Sequence, residues 1–179
     1  MNRFRKNILW LAVTVLAVVL DQITKRLAVA LLRPVSTVPL LQDILHLTYV
    51  ENTGASFGML KDRRWVFMIT SAVLIAVIIV YLFRCREIPP MLGVSLGMIL
   101  GGGIGNMIDR VALGYVVDFI DFRAIHFAVF NGADSFITVG AAMLFIHVMR
   151  SESDGRKNAA GKNTGEGAGP AGSDDKKEP

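Results

Sequence analysis

Gly93-Val94-Ser95-Leu96-Gly97-Met98-Ile99-Leu100-Gly101-Gly102-Gly103-Ile104-Gly105-Asn106-Met107-Ile108-Asp109 is the stretch on which the fold turns. Gly93, Gly97, Gly101 and Gly105 recur at steps of four, so on a helix they form one ridge without side chains that a neighbouring helix can approach closely. Gly102, Asn106 and Asp109 lie on an adjacent face and carry an amide and a carboxylate toward one end of the segment. Such a helix belongs inside a bundle, with protein rather than hydrocarbon around its polar end. The glycines do not make a P-loop, because Gly101-Gly102-Gly103-Ile104-Gly105-Asn106 lacks the Lys-Ser/Thr pair and does not join a soluble strand to a helix.

Outward from this segment, apolar runs at Ile8 to Leu31, Trp65 to Phe83 and Ala133 to Met149 accompany the central one, Met91 to Ile108. With 179 residues, 53% hydrophobic and 19% charged, and a mean hydropathy of +0.48, the chain has little to spare for a water-facing shell. A helix crosses the hydrocarbon core of roughly 30 Å in about 20 residues. The Trp65 run does so cleanly, whereas the last run is short and is expected to borrow interfacial residues. The first begins after Arg3, Arg5 and Lys6 like a secretory signal, yet has no convincing small-residue cleavage site. It continues through Asp21-Gln22-Ile23-Thr24-Lys25-Arg26 to further apolar residues, which reads as an uncleaved helix. Asp21 and Lys25 share one face there, where pairing offsets part of their desolvation, and should face protein or the interface rather than lipid.

Basic residues orient the bundle. Arg3, Arg5 and Lys6, then Arg84 and Arg86, then Arg150, Arg156, Lys157 and Lys162 mark one side, so both termini are expected in the cytoplasm. Residues 33–64 and 109–132 then lie outside, although Lys61, Arg63 and Arg64, diluted by Glu51 and Asp62, run against the pattern. Pro34 and Pro39 punctuate the first outer segment, Leu45-His46-Leu47-Thr48-Tyr49-Val50 alternates in part, and Glu51-Asn52-Thr53-Gly54 supplies a turn. The expected fold is a mainly α membrane protein of four transmembrane helices with a small extracytoplasmic β-sheet on the outer membrane surface. Residues 1–150 form that domain, including the β-rich segment 33–62 and an outer loop at 109–132. Residues 151–179, without apolar periodicity, read as a disordered cytoplasmic tail. The tail carries both charge signs, so the formal net charge of +4 gives no reason to expect a nucleic-acid partner.

The chemistry must come from polar residues near the outer ends of the third and fourth spans: Asn106, Asp109, Arg110, Asp118, Asp121, Asn131 and Asp134. The lone Cys85 sits among arginines at the opposite surface, so an outer-face cysteine nucleophile is not expected and no intrachain disulfide can form. His46, His126 and His147 show no metal-ligand spacing. No serine has a Gly-x-Ser-x-Gly setting. Asp109 and Arg110 are neighbours able to fasten the loop to the bundle, and Asp121 reads as a solvated loop residue.

Asp21-Gln22-Ile23-Thr24-Lys25, Asn52-Thr53-Gly54-Ala55-Ser56-Phe57, Gly105-Asn106-Met107-Ile108-Asp109-Arg110, Val116-Val117-Asp118-Phe119 and Phe130-Asn131-Gly132-Ala133-Asp134 occur in an order that resembles bacterial lipoprotein signal peptidase, also called signal peptidase II. Any one block is weak; the ordered set is specific. The resemblance implies an aspartyl endopeptidase of the bacterial inner membrane that removes the signal peptide of a prolipoprotein already diacylglyceryl-modified on its cysteine. It places the catalytic pair on Asp118 and Asp134. Substrate-contacting or supporting positions fall on Asn52, Gly54, Asn106, Arg110 and Asn131, and structural polar positions on Asp21, Lys25 and Asp109. Ser56 departs from the alanine more usual in the family and is small enough for the same space.

Two carboxylates held close cannot both ionise cheaply, so such a pair keeps one proton and titrates as a unit. Neither cofactor nor metal is expected, the partners are the lipidated precursor and membrane lipid, and the functional unit is expected to be a monomer. Two other readings stay open at this point. A divalent-metal hydrolase or lipid phosphotransferase would use Asp109, Asp118, Asp121 and Asp134 as oxygen ligands, and a small ion-coupled transporter would use membrane aspartates as an ion path.

Overall fold

The computed structural model describes residues 3–54, 64–85 and 87–165. Ala55-Ser56-Phe57, the charged group at residues 61–63, and the rest of the segment expected as β-rich up to residue 62 lie outside them, as does tail segment 166–179. The elements run α1 (Arg3–Leu32), β1 (Thr37–Leu41), β2 (Leu45–Asn52), α2 (Arg64–Arg84), α3 (Pro90–Ala112), β3 (Val116–Phe122), a 3-10 turn at Arg123–Ile125, and α4 (Gly132–Gly165).

Each helix contains a stretch long and apolar enough to span a membrane: Ile8–Leu32, Trp65–Arg84, Pro90–Ala112 and Gly132–Ser153. Burial separates their places, with 56% of the α3 window buried against 11% of the α2 window. Thus α3 is the internal helix, while α2 turns Ile69, Val73, Val77 and Val80 outward, a surface suited to lipid rather than water. The glycine ridge explains how α3 is enclosed. A Cβ on Gly97 would meet the Trp10 carbonyl oxygen at 2.8 Å, and one on Gly101 would meet the Ala17 Cβ at 2.6 Å. Gly105 abuts Asp21 in the same way. Trp10, Thr14, Ala17, Asp21, Lys25, Ala28 and Leu32 are the buried stripe of α1, spaced for one face of a helix packed along another. Gly102 faces Ala133 and Ile137 of α4, and Gly103 faces Ile75 of α2.

The sheet has the order β1-β2-β3, antiparallel throughout. β1 is an edge strand and carries Pro39 there, where a missing N–H costs least. The strand expected at 45–50 is β2; its partner β3 occupies ground expected to be loop. Two further boundaries differ from expectation. α3 continues to Ala112, so Asp109 and Arg110 are helical, because nothing in Asp109-Arg110-Val111-Ala112 breaks a helix already nucleated in the span. Likewise α4 does not end near Met149: residues 151–165 continue it, since Glu152, Arg156, Lys157, Ala159 and Ala160 are all compatible with helix and no proline intervenes before Pro170.

Packing divides the chain into two compact units, Met1–Leu144 and Phe145–Pro179. The first contains the sheet and every residue of the candidate site. In the second, Phe145, Ile146, Val148 and Met149 are exposed apolar side chains.

Candidate active site

The carboxyl end of α1, the carboxyl end of α3 and the amino end of α4 carry the sheet, and the polar residues meet where they do. After β3 the chain folds back on itself: the Phe130 carbonyl accepts the N–H groups of Phe119 and Ile120 at 3.0 and 2.8 Å, and the Phe130 N–H donates to the Ile120 carbonyl at 3.1 Å. That return sets Asn131 beside Asp118. Asn131 then caps α4, its Oδ1 accepting the Asp134 N–H at 3.0 Å while the Asp134 Oδ2 accepts the Asn131 N–H at 3.3 Å. This is a reciprocal capping box with aspartate in the third helical position, and it puts Asp134 at the positive end of the helix dipole. The next free N–H, on Ala133, donates to Asp21 Oδ1 at 2.8 Å.

Asp118 sits on β3 opposite Val50, and Asn52 sits opposite Val116. The two are diagonal neighbours on one face of the sheet, and Asn52 Nδ2 donates to Asp118 Oδ2 at 2.8 Å. The other Asp118 oxygen, Oδ1, accepts Asn131 Nδ2 at 2.6 Å. On the helical side Asn106 Nδ2 donates to Asp134 Oδ1 at 2.8 Å, while Asn106 Oδ1 accepts from Asn131 Nδ2 at 3.2 Å and from Lys25 Nζ at 2.8 Å. Asn131 therefore touches both aspartates and ties them into one network.

All three asparagine amides are oriented by a donor on the oxygen side. For Asn52 it is the Gly54 N–H, at 3.0 Å, closing an Asx turn; for Asn131 it is the Asp134 N–H; for Asn106 it is Lys25. Each amide is thereby obliged to present its NH2 group to a carboxylate. Asp118 is 2% exposed and Asn131 0%, whereas Asp134 is only half-buried. Burial pushes the Asp118 carboxyl up from 3.8 to about 6; the Asn52 and Asn131 donors oppose the rise and the charge of Asp134 adds to it.

Beneath the pair lies a buried ion cluster. Lys25 Nζ is 2.9 Å from Asp21 Oδ2 and 3.0 Å from Asp109 Oδ2. Asp109 also accepts the Val117 N–H at 3.1 Å and Gln22 Nε2 at 2.9 Å. The expected pairing of Asp21 with Lys25 against protein is present. Asp109 does not fasten to Arg110; it points across to α1 and β3. The Arg110 guanidinium instead lies over the Phe67 ring, 5.5 Å from its centroid, and donates to the Asn106 carbonyl at 3.4 Å.

Asp121 is not a solvated loop residue. It is 9% exposed on β3 and bound by the Thr48 hydroxyl at 2.8 Å and Arg123 Nε at 3.0 Å. With Asp109 held by Lys25 and Asp121 by Thr48 and Arg123, the four carboxylates of the metal reading do not converge, and among the described residues no group of His, Cys, Asp or Glu is arranged to hold an ion. Gln22 is the participant that sequence reasoning passed over, although its place between Asp21 and Lys25 on the inner face of α1 was a usable signal.

A family model described as signal peptidase (SPase) II matches residues 13–150. A lipoprotein signal peptidase of Halothermothrix orenii is 40% identical over 143 residues, which span 80% of this chain and 97% of that protein. The enzyme of the same description from Caldanaerobacter subterraneus is 48% identical over 134 residues, spanning 75% and 91%. A solved bacterial membrane enzyme, determined in meso at 2.3 Å, superposes with a TM-score of 0.74 at 28% identity, covering 81% of this chain and 90% of that one.

Proposed function

Because the chain belongs to the signal peptidase II family, and is therefore an aspartyl-type hydrolase acting on lipoprotein signal peptides as a multi-pass protein of the bacterial inner membrane, we propose that Asp118 and Asp134 are its catalytic pair. Its substrate is a diacylglyceryl-modified prolipoprotein. The observation that carries the assignment is the double hold of Asn131, whose side-chain N–H binds Asp118 at 2.6 Å while its backbone N–H binds Asp134 at 3.3 Å. Residues 1–150 form the peptidase domain in this reading, both termini are cytoplasmic, and the site opens on the extracytoplasmic face.

The mechanism follows from one shared proton. The ionised member of the pair takes a proton from a water molecule, whose oxygen bonds to the carbonyl carbon preceding the lipidated cysteine. The carbonyl π electrons move to oxygen, which is protonated by the other member. Collapse of the tetrahedral species breaks the C–N bond: the departing nitrogen takes the proton that the first aspartate accepted from water, one hydroxyl of the tetrahedral species returns its proton to the second, and the new carboxylic acid gives its own to the amine, leaving a carboxylate on the signal peptide and an α-ammonium group on the cysteine. The N–H donors of Asn52, Asn106 and Asn131 hold both carboxylates in place, so little reorganisation is left to the chemical step. The precursor's acyl chains stay in lipid and bring the scissile bond to this surface at a high local concentration. In this reading Arg110, which rests on Phe67 at the edge of the network, meets peptide carbonyls of the substrate.

Purified protein incubated with a diacylglyceryl-modified precursor, with and without chelator, tests the reading. Product mass should place the cut directly before the lipidated cysteine at a rate indifferent to chelator; loss of activity on chelation would restore the metal reading.

A further inference from the structure

Asn106 differs from the other two asparagines in what holds its oxygen. Gly54 and Asp134 pin theirs with backbone N–H groups. Asn106 lies within α3, where backbone N–H groups are consumed by the helix, so only a side chain can do the same work. The ammonium of Lys25 has three N–H donors and no acceptor. All three directions are used: Asp21 at 2.9 Å, Asp109 at 3.0 Å and Asn106 Oδ1 at 2.8 Å. Two of these contacts complete an ion pair; the third does not contribute to it.

We propose that Lys25 is a positioning residue for the catalytic pair, locking the Asn106 amide so that its NH2 group always faces Asp134. The proposal rests on the assignment of Asp118 and Asp134 above. A flipped Asn106 would set its NH2 against the ammonium and against Asn131 Nδ2, and its carbonyl against the Asp134 carboxylate. With Lys25 in place that arrangement is unavailable whichever member of the pair is ionised. Without it, only the longer contact from Asn131 Nδ2, at 3.2 Å, opposes a turn of the carbonyl toward a protonated Asp134, and the pair holds less firmly a donor that favours its ionised state. The charged groups around Asn106 are Lys25 and Asp21 on α1, Asp109 and Arg110 on α3, Asp118 on β3 and Asp134 on α4. Among them only Lys25 donates to the amide oxygen.

The test is a kinetic cycle on the full chain in detergent with a diacylglyceryl-modified precursor, comparing Lys25→Met, Asn106→Ala and the double variant, each normalised to its folded fraction. Lys25→Met should lower kcat by about 10- to 100-fold with KM moved less than about threefold. It should shift the acid limb of kcat upward by about one pH unit, and should add little to the loss already caused by Asn106→Ala. A lysine that acts only through the fold or through its charge on Asp118 would give losses that multiply in the double variant; that result overturns the proposal. Lys25→Met combined with Asp109→Asn removes one charge of each sign, so the cluster keeps its net charge, and Asp21, though it loses its cation, keeps the Ala133 N–H at 2.8 Å. It should retain the kcat defect and the shifted limb, and wild-type turnover from it refutes the lock. Asp118→Asn and Asp134→Asn run alongside: normal cleavage by either would mean that the catalytic assignment itself is wrong and that the lock falls with it, an outcome distinct from additivity in the Lys25 cycle.

Discussion

Asp118 is where burial and chemistry meet most sharply. Its carboxyl titrates at about 6 in the folded protein against 3.8 for the free side chain. Folding therefore takes up a proton in that window, so the stability this group contributes is present below about pH 4 and is lost as the pH rises through about 6. The thermal midpoint in detergent should fall across that range in the wild type and fall less in Asp118→Asn; equal slopes would contradict the shift. Asn131→Ala removes a helix cap worth about 1 to 2 kcal/mol and the ligand shared by both aspartates, so it should cost stability and nearly all turnover together. Retained turnover in a folded Asn131→Ala protein would argue against the shared hold. Much at this scale was legible, because Asp118, Asp134, Asn52, Asn106 and Asn131 stand in short blocks whose order carries the family resemblance. The partners were not. Asp109 beside Arg110 in sequence reads as a pair, yet consecutive helical residues point about 100° apart, and the real partner, Lys25, is 84 positions away.

At the scale of elements, the glycine ridge of α3 decides the packing. Gly101→Val would drive its Cβ toward the Ala17 Cβ, 2.6 Å away, and the Thr14 carbonyl oxygen, 2.8 Å away, so it should cost about 1 to 3 kcal/mol by overpacking. Its effect on kcat should be large for so remote a residue, because separating α3 from α1 breaks Lys25 from Asn106. An unchanged thermal midpoint would show that the ridge is not a close contact. Periodicity exposed this ridge and the four spans because spacing along one helix is a local property. It did not expose β3. Val116-Val117-Asp118-Phe119-Ile120-Asp121-Phe122 has β-branched and aromatic residues, but its pairing with β2 is long-range and passes through a register shift between Leu47 and Val50, which no local pattern records. The continuation of α4 to Gly165 was missed for the opposite reason: the absence of apolar periodicity says that a helix is not buried, and the tail was read as having no helix at all.

For the whole molecule, a lipid-anchored precursor and a site at the membrane surface make two demands. The same precursor without its diacylglycerol should be cleaved at least about 10-fold more slowly, since it loses the positioning supplied by its acyl chains; equal rates would separate the site from the bilayer. Cys85, the single cysteine, follows α2 at the end remote from the site, so a membrane-impermeant thiol reagent should label it in inside-out vesicles and spare it in right-side-out vesicles. The reverse pattern would invert the topology. Truncation after Ser153, where the candidate span ends, should leave kcat within about twofold, as expected for a polar extension whose sequence has no apolar periodicity. The orientation expected from the sequence rests on charge asymmetry, which is a property of the whole chain.

The central claim is that Asp118 and Asp134 act as one unit on one peptide bond. Its most direct measurement is single-turnover cleavage of a diacylglyceryl-modified precursor by wild type, Asp118→Asn, Asp134→Asn and the double variant, each verified as folded by thermal unfolding in detergent. Each single variant should lose turnover by at least about 10³-fold and the double variant should be scarcely worse, as for residues that work together. Substantial cleavage by either folded single variant, or losses that multiply in the double, would contradict the account.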